Sequence, residues 1–167
     1  LAAADGKPPL AINPVSRLTG ISYRLPMASA QVKSSILLAG LYAKGSTQIH
    51  ESTPTRDHTE RMIAGFTGRR WEQGNPIQVE SGNILRGQQI TVPGDISSAA
   101  FCLVAAALCP GSDVTLCGIG INPTRAAVLE ILNLMGANIE ICGQRQESGE
   151  PLCDLRVRSQ RLKGIDV

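Results

Sequence analysis

The sequence contains one pattern twice, and this repetition constrains the fold more than any other feature. An apolar stretch opens just after Pro26 and again just after Pro93, and each stretch ends at a Gly-Ser pair. A short β-like segment then leads to Pro-Thr-Arg, at Pro54–Arg56 and at Pro123–Arg125, about 70 residues apart. A period of this size predicts a duplicated structural unit with helix starts in equivalent places.

The first copy predicts the element order strand, helix, strand, helix, strand, strand, which we write βαβαββ. A helix over Ser29–Ala43 is apolar nearly all round, which is typical of a buried helix, and Gly45 follows it. Thr55 is expected to cap the second helix. The expected strands are Ile21–Arg24, Thr47–Glu51, Arg69–Glu72 and Pro76–Glu80.

The second copy predicts the same order after a polar linker. An Ala-rich buried helix covers Ser97–Leu108, and Thr124 is expected to cap a helix with an apolar stripe that ends before Gly136. The polar segment Gly143–Glu150 reads as a surface loop. The expected strands are Gln89–Val92, Asp113–Cys117, Asn138–Cys142 and Asp154–Arg158. Two βαβαββ units place the chain in the α/β (α+β) class.

Composition argues against several functions. A net charge of +2 is too small to indicate nucleic-acid or membrane binding, and one Trp, two Tyr and two Phe are too few for a base-stacking surface. The longest apolar run, Ala99–Leu108, is too short to span a bilayer. Five cysteines without a CxxC pair, beside two histidines, predict buried reduced thiols in a cytosolic protein and neither a disulfide framework nor a metal site.

Four helix starts are candidate anion sites, because free backbone N–H groups and the helix dipole favour negative charge there. They are Ser29–Gln31, Thr55–Asp57, Ser97–Ser98 and Thr124–Arg125. An arginine at such a start can hold a phosphate or carboxylate through two parallel hydrogen bonds, which applies to Arg56 and Arg125. The favoured role is a structural ion pair for Arg125 and capping for Asp95, Ser97, Ser98 and Thr124.

Two carboxylates and a histidine lie together at the start of the second helix. Asp57 and Glu60 could form an acid/base pair, but in a first helical turn they more simply complement the helix dipole. His58 is interpreted as a surface residue of that helix, and Lys33 as solvated or paired. None of these residues is assigned a catalytic role.

Four longer strings are similar to one family. They are LPMASAQVKS (25–34), TRDHTERM (55–62), PGDISSAAF (93–101) and GINPTR (120–125), and together they resemble the 5-enolpyruvylshikimate-3-phosphate synthase family. The similarity runs through the whole chain in order, and the residues of these strings most resemble the branch of the family associated with glyphosate tolerance. One departure is Phe66-Thr67-Gly68, where the family usually has Phe-Gly-Ala.

The resemblance implies an architecture. The family is built from six βαβαββ units, three per domain, arranged as an inside-out α/β barrel. Residues 1–88 would then supply a lead-in and the last unit of one domain, and residues 89–167 the first unit of the other. The crossing between domains is expected near Thr91-Val92. Apolar faces that other units would cover suggest that these residues alone self-associate.

The resemblance also implies an activity, the transfer of the enolpyruvyl group of phosphoenolpyruvate to the 5-hydroxyl of shikimate 3-phosphate in aromatic amino acid biosynthesis. By motif, Ser29, Ala30, Gln31 and Arg56 would bind shikimate 3-phosphate. The family's acid/base residues fall outside these strings, so we assign no catalytic residue and expect the segment alone to be inactive. No cofactor, metal, nucleic acid or membrane is implied, and the family suggests a cytoplasmic monomer.

Two alternatives remain open. The sister enolpyruvyl transferase that acts on UDP-N-acetylglucosamine shares the architecture, but different residues are expected there in place of Ser29–Gln31 and Thr55–Asp57. A folded fragment without catalytic function is the second alternative. An RNA-end-processing enzyme with similar repeats has no support, because the chain has no basic stripe and few aromatic residues.

Overall fold

The computed structural model describes residues 7–69, 74 and 76–166. The described residues fall into two compact units. The first unit comprises the described parts of Leu1–Pro54 and Gln73–Asn83, and the second unit those of Thr55–Glu72 and Ile84–Val167. The predicted assignment of residues 1–88 and 89–167 to two domains of a larger fold stays a prediction.

The described part of the first unit is a sheet with one helix against it. Its strands β1 (Ser22–Arg24), β2 (Ser46–His50) and β3 (Ile77–Glu80) lie in the order β1-β2-β3. β1 runs parallel to β2, and β3 runs antiparallel to it. Helix α1 (Ala30–Gly40) connects β1 to β2. The predicted helix and strands of this part are therefore present, each within a few residues of its expected bounds.

Gly40 fixes how closely α1 approaches the sheet. A Cβ atom at Gly40 would lie 2.8 Å from Val79 Cγ2 and 2.8 Å from Thr47 Cβ, which is too close for any side chain. Leu37 and Ile49 are fully buried where helix and sheet meet. The predicted burial of the whole helix is wrong in this structure, because Leu38 on its other side is 51% exposed.

The described part of the second unit contains three helices and an antiparallel sheet. The helices are α2 (His58–Thr67), α3 (Ile96–Leu108) and α4 (Ala127–Leu134), and the strands are β4 (Asp113–Gly120), β5 (Asn138–Glu147) and β6 (Glu150–Arg158). The strand order is β4-β6-β5, with both pairings antiparallel. The buried side chains of this unit form one apolar core, which includes Ile96, Leu103, Leu132, Leu155 and Val157.

The strand predicted at Gln89–Val92 is reduced to one isolated bridge. Gly94 pairs in parallel with Ile119 of β4, through the bonds Gly94 N–H to Gly118 C=O at 2.8 Å and Gly120 N–H to Gly94 C=O at 2.9 Å. The preceding Pro93 has no N–H to continue a ladder. The bridge still occupies the place beside β4 that β1 occupies beside β2, so both units repeat a parallel and then an antiparallel neighbour. The strand predicted at Arg69–Glu72 falls mostly outside the described residues.

The loop predicted at Gly143–Glu150 is instead the end of a long hairpin. β5 continues to Glu147, β6 starts at Glu150, and the two turn residues Ser148 and Gly149 have φ values of 51° and 85°. Positive φ at both positions is typical of a type I′ turn, which matches the twist of paired strands. Polar composition misled the prediction, because these strand residues face solvent and pair with each other, as Arg145 does with Glu147 at 2.9 Å.

Of the three described helices for which a capping residue was predicted, α3 follows the prediction, at Asp95, and Ser29 supplies a cap that was not assigned. Ser29 caps α1, since its Oγ accepts a hydrogen bond from Val32 N–H at 3.3 Å. Asp95 caps α3, and its carboxylate accepts the N–H groups of Ser97 and Ser98 at 3.2 Å each. Thr55 and Thr124 are not the N-cap residues. Ser97 and Ser98 are not N-cap residues either, because their N–H groups donate the capping hydrogen bonds to Asp95. α2 starts after Asp57, and α4 starts after Ala126.

The predicted burial of the cysteines holds for one of them. Cys153 is buried and Cys142 is half-buried, whereas Cys102, Cys109 and Cys117 are exposed on α3 and β4. All five, which lie within the described ranges, are free thiols. Among the described helices, none is both long and apolar enough to cross a bilayer.

Asp113 links β4 to β6 through two arginines, which predicts acid-dependent stability. Its carboxylate accepts hydrogen bonds from Arg156 Nη2 at 2.6 Å and Arg158 Nε at 3.3 Å. The Arg156 hydrogen bond is the main reason that the pKa of Asp113 falls from 3.8 to about 2. A lowered pKa stabilises the fold above pH 3.8, and this contribution is lost as the pH falls through about 2.

The substitution Asp113→Asn should therefore flatten the acid limb of the stability curve. Thermal midpoints measured between pH 2 and pH 5 should fall less steeply in the variant than in the unchanged chain, and the two curves should converge at the acid end. A matched control is Glu140→Gln, whose partner Arg158 Nη2 lies farther away, at 3.7 Å. Equal slopes for the unchanged chain and Asp113→Asn would contradict the expected role.

Candidate functional site

The start of α1 presents hydrogen-bond donors that the helix does not use. The first intrahelical bond runs from Lys33 N–H to Ser29 C=O at 3.1 Å, so the N–H groups of Ala30 and Gln31 precede the helical ladder. Ser29 is half-buried, with its hydroxyl oxygen capping Val32, and its O–H hydrogen can still be donated. Gln31 is exposed. This constellation suits an anion at the positive end of the helix dipole.

Lys33 lies one turn into α1 and is 1% exposed. Its Nζ lies 3.3 Å from Glu51 Oε2, beyond the end of β2, so of the two interpretations left open, solvated or paired, the structure shows the pair. The pair connects the first turn of α1 to the segment that follows β2. We infer that Lys33 holds the helix start in place, since a charge buried this deeply is normally retained in a pair.

Arg56 lies in the segment just before α2 and is exposed. The structure therefore brings Ser29, Ala30 and Gln31 together at one helix start in the first unit, whereas Arg56 belongs to the second unit. An exposed guanidinium with its five N–H donors can form a fork of hydrogen bonds to a phosphate.

The residue after Arg56 is anchored by a buried polar network. Asp57 is 6% exposed and Asn122 is 2% exposed. Asn122 Nδ2 donates to Asp57 Oδ1 at 2.8 Å and to Glu150 Oε2 at 3.1 Å. Arg61 Nη2 lies 2.9 Å from Asp57 Oδ2, and His58 Nδ1 lies 2.8 Å from Glu150 Oε1. We call these five residues the Asn122 network.

The geometry corrects the simpler interpretation of Asp57. Its side chain makes no capping hydrogen bond to α2, although it occupies the N-cap position. Burial acts to raise the pKa of this carboxyl, but hydrogen bonds from Arg61 and Asn122 outweigh burial, and the pKa lies below its ordinary value. Asp57 is therefore ionised at neutral pH and joins two parts of the second unit. The His58 side chain, predicted to lie at the surface, is 45% exposed, and its Nδ1 is hydrogen-bonded to Glu150 Oε1.

Beside the Asn122 network lies a cavity of about 200 Å³ within the second unit. Pro93, Asp95 and Ile96 at the start of α3 form one part of its wall, and His58, Asn122 and Glu150 form another. Arg125 also lines the cavity, where its Nη2 lies 3.3 Å from Asp95 Oδ1 and donates to Ser97 Oγ. The structural ion pair predicted for Arg125 is confirmed, and it engages Nη2 of the guanidinium.

Comparison with known proteins decides the family. The family model described as EPSP synthase (3-phosphoshikimate 1-carboxyvinyltransferase) matches residues 1–167. The chain belongs to the EPSP synthase family. It is 54% identical to the 3-phosphoshikimate 1-carboxyvinyltransferase of Alkalilimnicola ehrlichii over 97% of this chain and 36% of that protein. The corresponding values for the enzyme of Methylococcus capsulatus are 56%, 97% and 37%.

A solved EPSP synthase confirms the fold class. The structure of EPSP synthase from Acinetobacter baumannii superposes with a TM-score of 0.90 at 51% identity, covering 98% of this chain and 38% of that one. The predicted α/β class and the resemblance found in the sequence are both confirmed. The chain spans little more than a third of the length of these EPSP synthase relatives.

Sequence reasoning missed three residues of the Asn122 network. Asn122 and Arg61 had no assigned role, and Glu150 was placed in a surface loop. A signal for Asn122 was present, because an Asn-Pro pair favours a turn and an Asn side chain often accepts the N–H two residues on. That bond is found here, from Thr124 N–H to Asn122 Oδ1 at 2.9 Å. No local pattern in this EPSP synthase family sequence pointed to Glu150.

Proposed function

We propose that the chain is part of an enzyme that transfers the enolpyruvyl group of phosphoenolpyruvate to the 5-hydroxyl of shikimate 3-phosphate and releases phosphate. The observation that carries the proposal is the open start of α1, where the Ser29 hydroxyl and the N–H groups of Ala30 and Gln31 are donors outside the helical ladder. The names of the relatives, 3-phosphoshikimate 1-carboxyvinyltransferase, agree with this reaction. The chain spans 36% of the first of those relatives, so the whole reaction is proposed for a protein of their length.

The role of this chain is to bind and orient the phosphorylated substrate. Both substrates are anionic, and the phosphate of shikimate 3-phosphate carries most of its charge. The Ser29 hydroxyl and the N–H groups of Ala30 and Gln31 would bind that phosphate, and the Gln31 amide would reach the ring or the enolpyruvyl group. Arg56 would add a full positive charge. Fixing the substrate in this way positions its 5-hydroxyl for attack.

The chemical steps require an acid and a base in addition to these binding residues. The CH2 carbon of phosphoenolpyruvate takes a proton, and the 5-hydroxyl adds to the neighbouring carbon and loses its own proton to give a tetrahedral intermediate. Phosphate then leaves as the new methyl group loses a proton, which restores the double bond. An acid and a base must serve these steps, and we place both in the remainder of a protein of the relatives' length. The reaction changes no oxidation state and needs no cofactor. We propose that it takes place in the cytoplasm in a monomer with two small-molecule substrates.

The test is a titration of shikimate 3-phosphate into the isotopically labelled chain, followed by amide chemical shifts. Saturable shifts at Ala30 and Gln31 are expected, because their N–H groups are the proposed phosphate donors, and a shift at Val32 is expected because its N–H bonds the Ser29 hydroxyl that would also bind the phosphate. Shikimate without the phosphate should shift them at least about 10-fold less at equal concentration, since charge-assisted hydrogen bonds dominate binding.

Two comparison ligands separate the alternatives. UDP-N-acetylglucosamine should leave the same amides unchanged, and saturable shifts with that ligand would favour the sister transferase. Inorganic phosphate at matched ionic strength reports how much of the signal any anion produces. A folded chain in which shikimate 3-phosphate moves no amide near α1 would contradict the binding role of this helix start.

A further inference from the structure

Asn122 is the residue on which the Asn122 network converges. It follows β4, and its amide bonds three separate segments: Asp57 before α2, Glu150 at the start of β6, and Thr124 before α4. Thr124 N–H and Oγ1 donate to Asn122 Oδ1 at 2.9 and 2.7 Å. Both the donor and the acceptor end of this buried amide are therefore engaged.

Arg61 holds the same segment from the other side. Its Nη1 donates to Gly149 C=O at 3.2 Å, and its Nη2 pairs with Asp57. Gly149 itself lies so close to Arg61 that an added Cβ would come within 3.2 Å of the Arg61 carbonyl oxygen. The first turn of α2 is thus attached both to the Asn-Pro turn after β4 and to the β5–β6 hairpin.

This attachment constrains the backbone that carries Arg56. Asp57 directly follows Arg56 and is held by a buried side-chain bond to Asn122, whereas the Arg56 side chain is exposed. An exposed arginine loses a large side-chain entropy when it binds a ligand, and a fixed backbone limits the additional loss. Removing the Asn122 amide would leave Asp57 with an unpaired oxygen in a buried site and release this turn.

We propose that Asn122 is a positioning residue for shikimate 3-phosphate binding, acting through Asp57 on the direction of Arg56. The inference rests on the proposed function, since it assigns Arg56 to that substrate. Asn122 touches no reacting atom in this arrangement. Its contribution is to hold the Thr55–Asp57 turn in the conformation that binds phosphate.

The test measures the dissociation constant of shikimate 3-phosphate in a double-mutant cycle of Asn122→Ala and Arg56→Ala. Asn122→Ala alone should raise the constant by about 5- to 20-fold, a part of the roughly 10- to 100-fold loss expected for Arg56→Ala, because the guanidinium remains but its backbone is no longer fixed. In the Arg56→Ala background the same substitution should change it less than about 2-fold, because the group that Asn122 positions is already absent. A structural role without positioning would give equal factors in both backgrounds and would overturn the proposal.

The same variants grafted into EPSP synthase of Acinetobacter baumannii, with this chain in place of the matching segment, add a kinetic readout. The KM for shikimate 3-phosphate should rise while kcat changes less than about 3-fold, since the interaction belongs to binding. Val157→Ala is the matched control, because Val157 is fully buried in the second unit and bonds no member of the Asn122 network. It should lower the thermal midpoint and leave KM unchanged.

Failure of the proposal and failure of the proposed function can be told apart. If Arg56→Ala leaves the affinity unchanged, the substrate role of Arg56 is wrong. If Arg56→Ala weakens binding and Asn122→Ala does not, only the positioning role is wrong. Where Asn122→Ala does not fold, Thr124→Val decides, because it removes only the 2.7 Å bond to Asn122 Oδ1. It should raise the dissociation constant about 2-fold or more, and an unchanged constant would overturn the proposal.

Discussion

Arg56→Ala should weaken the binding of shikimate 3-phosphate by about 10- to 100-fold. The estimate follows from the usual cost of losing a hydrogen bond to a charged group, about 1.5 to 3 kcal/mol, converted at about 1.4 kcal/mol per tenfold change. Arg56 is exposed, so its truncation should change the free energy of unfolding by less than about 0.5 kcal/mol. Calorimetric titration gives the affinity, and urea denaturation gives the stability of the same samples.

Three comparisons define the origin of the Arg56 effect. Arg56→Lys keeps the charge but loses the planar fork, so it should recover only part of the lost affinity. A higher salt concentration should weaken shikimate 3-phosphate binding by the unchanged chain more than binding by Arg56→Ala. Salt screens the charge of Arg56, which the variant lacks. Arg158→Ala removes another arginine of the second unit, one that pairs with Asp113. An affinity loss in Arg158→Ala equal to that in Arg56→Ala would mean that net charge alone, and not the position of Arg56, governs binding.

The features that sequence predicted correctly are local ones. The predicted cap at Asp95 depends on one residue and the N–H groups two and three positions on. The repeated helices and central strands follow from apolar spacing and from turn residues, which act over one element at a time. The repeat then made the two copies support each other, because an element seen in one copy was expected in the other.

The features that sequence missed depend on contacts between distant residues. The bond from Asn122 to Asp57 joins positions 65 residues apart, and the hydrogen bond between His58 and Glu150 joins positions 92 apart. Nothing in the first turn of α2 shows that Asp57 is buried, because an acidic residue there is equally common as an exposed partner of the helix dipole. The hairpin end at Glu147 was missed because polar residues in a solvent-facing strand resemble a loop.

Apolar spacing also identifies a face without identifying what covers it. α1 and α3 read as helices buried all round, yet Leu38 is 51% exposed and Phe101 is 80% exposed in this structure. The inner faces are covered as expected, with Leu37 and Leu103 fully buried. The apolar character of α1 and α3 was thus predictable from sequence. Which residues, if any, cover the outer face of each helix depends on tertiary contacts that the sequence pattern does not contain.

Leu155→Ala should lower the free energy of unfolding by about 3 kcal/mol, within the range of about 2 to 5 kcal/mol for emptying a buried leucine site. Leu155 is fully buried in β6, the central strand of its sheet, and it lies opposite Leu116 of β4 and Ile141 of β5. Packing on both sides limits how far neighbours can collapse into the vacated space. Such a loss is a large part of the total stability of a small domain, so the urea midpoint should shift clearly.

Ile141→Ala is the matched control for Leu155→Ala, because the two residues are cross-strand partners that share one face of the sheet. Ile141 lies on the edge strand and is 47% exposed, so its truncation removes roughly half as much buried apolar area and leaves an open surface where Leu155→Ala leaves a cavity. We expect a loss of about 1 kcal/mol, measured by urea denaturation with circular dichroism at 218 nm (roughly the β-sheet minimum). Equal losses for both variants would show that the β4-β6-β5 sheet is not organised around a core at Leu155. A larger loss for Leu155→Ala would locate the core beneath the central strand, on the sheet whose hairpin end holds Glu150 and, through it, the Asn122 network.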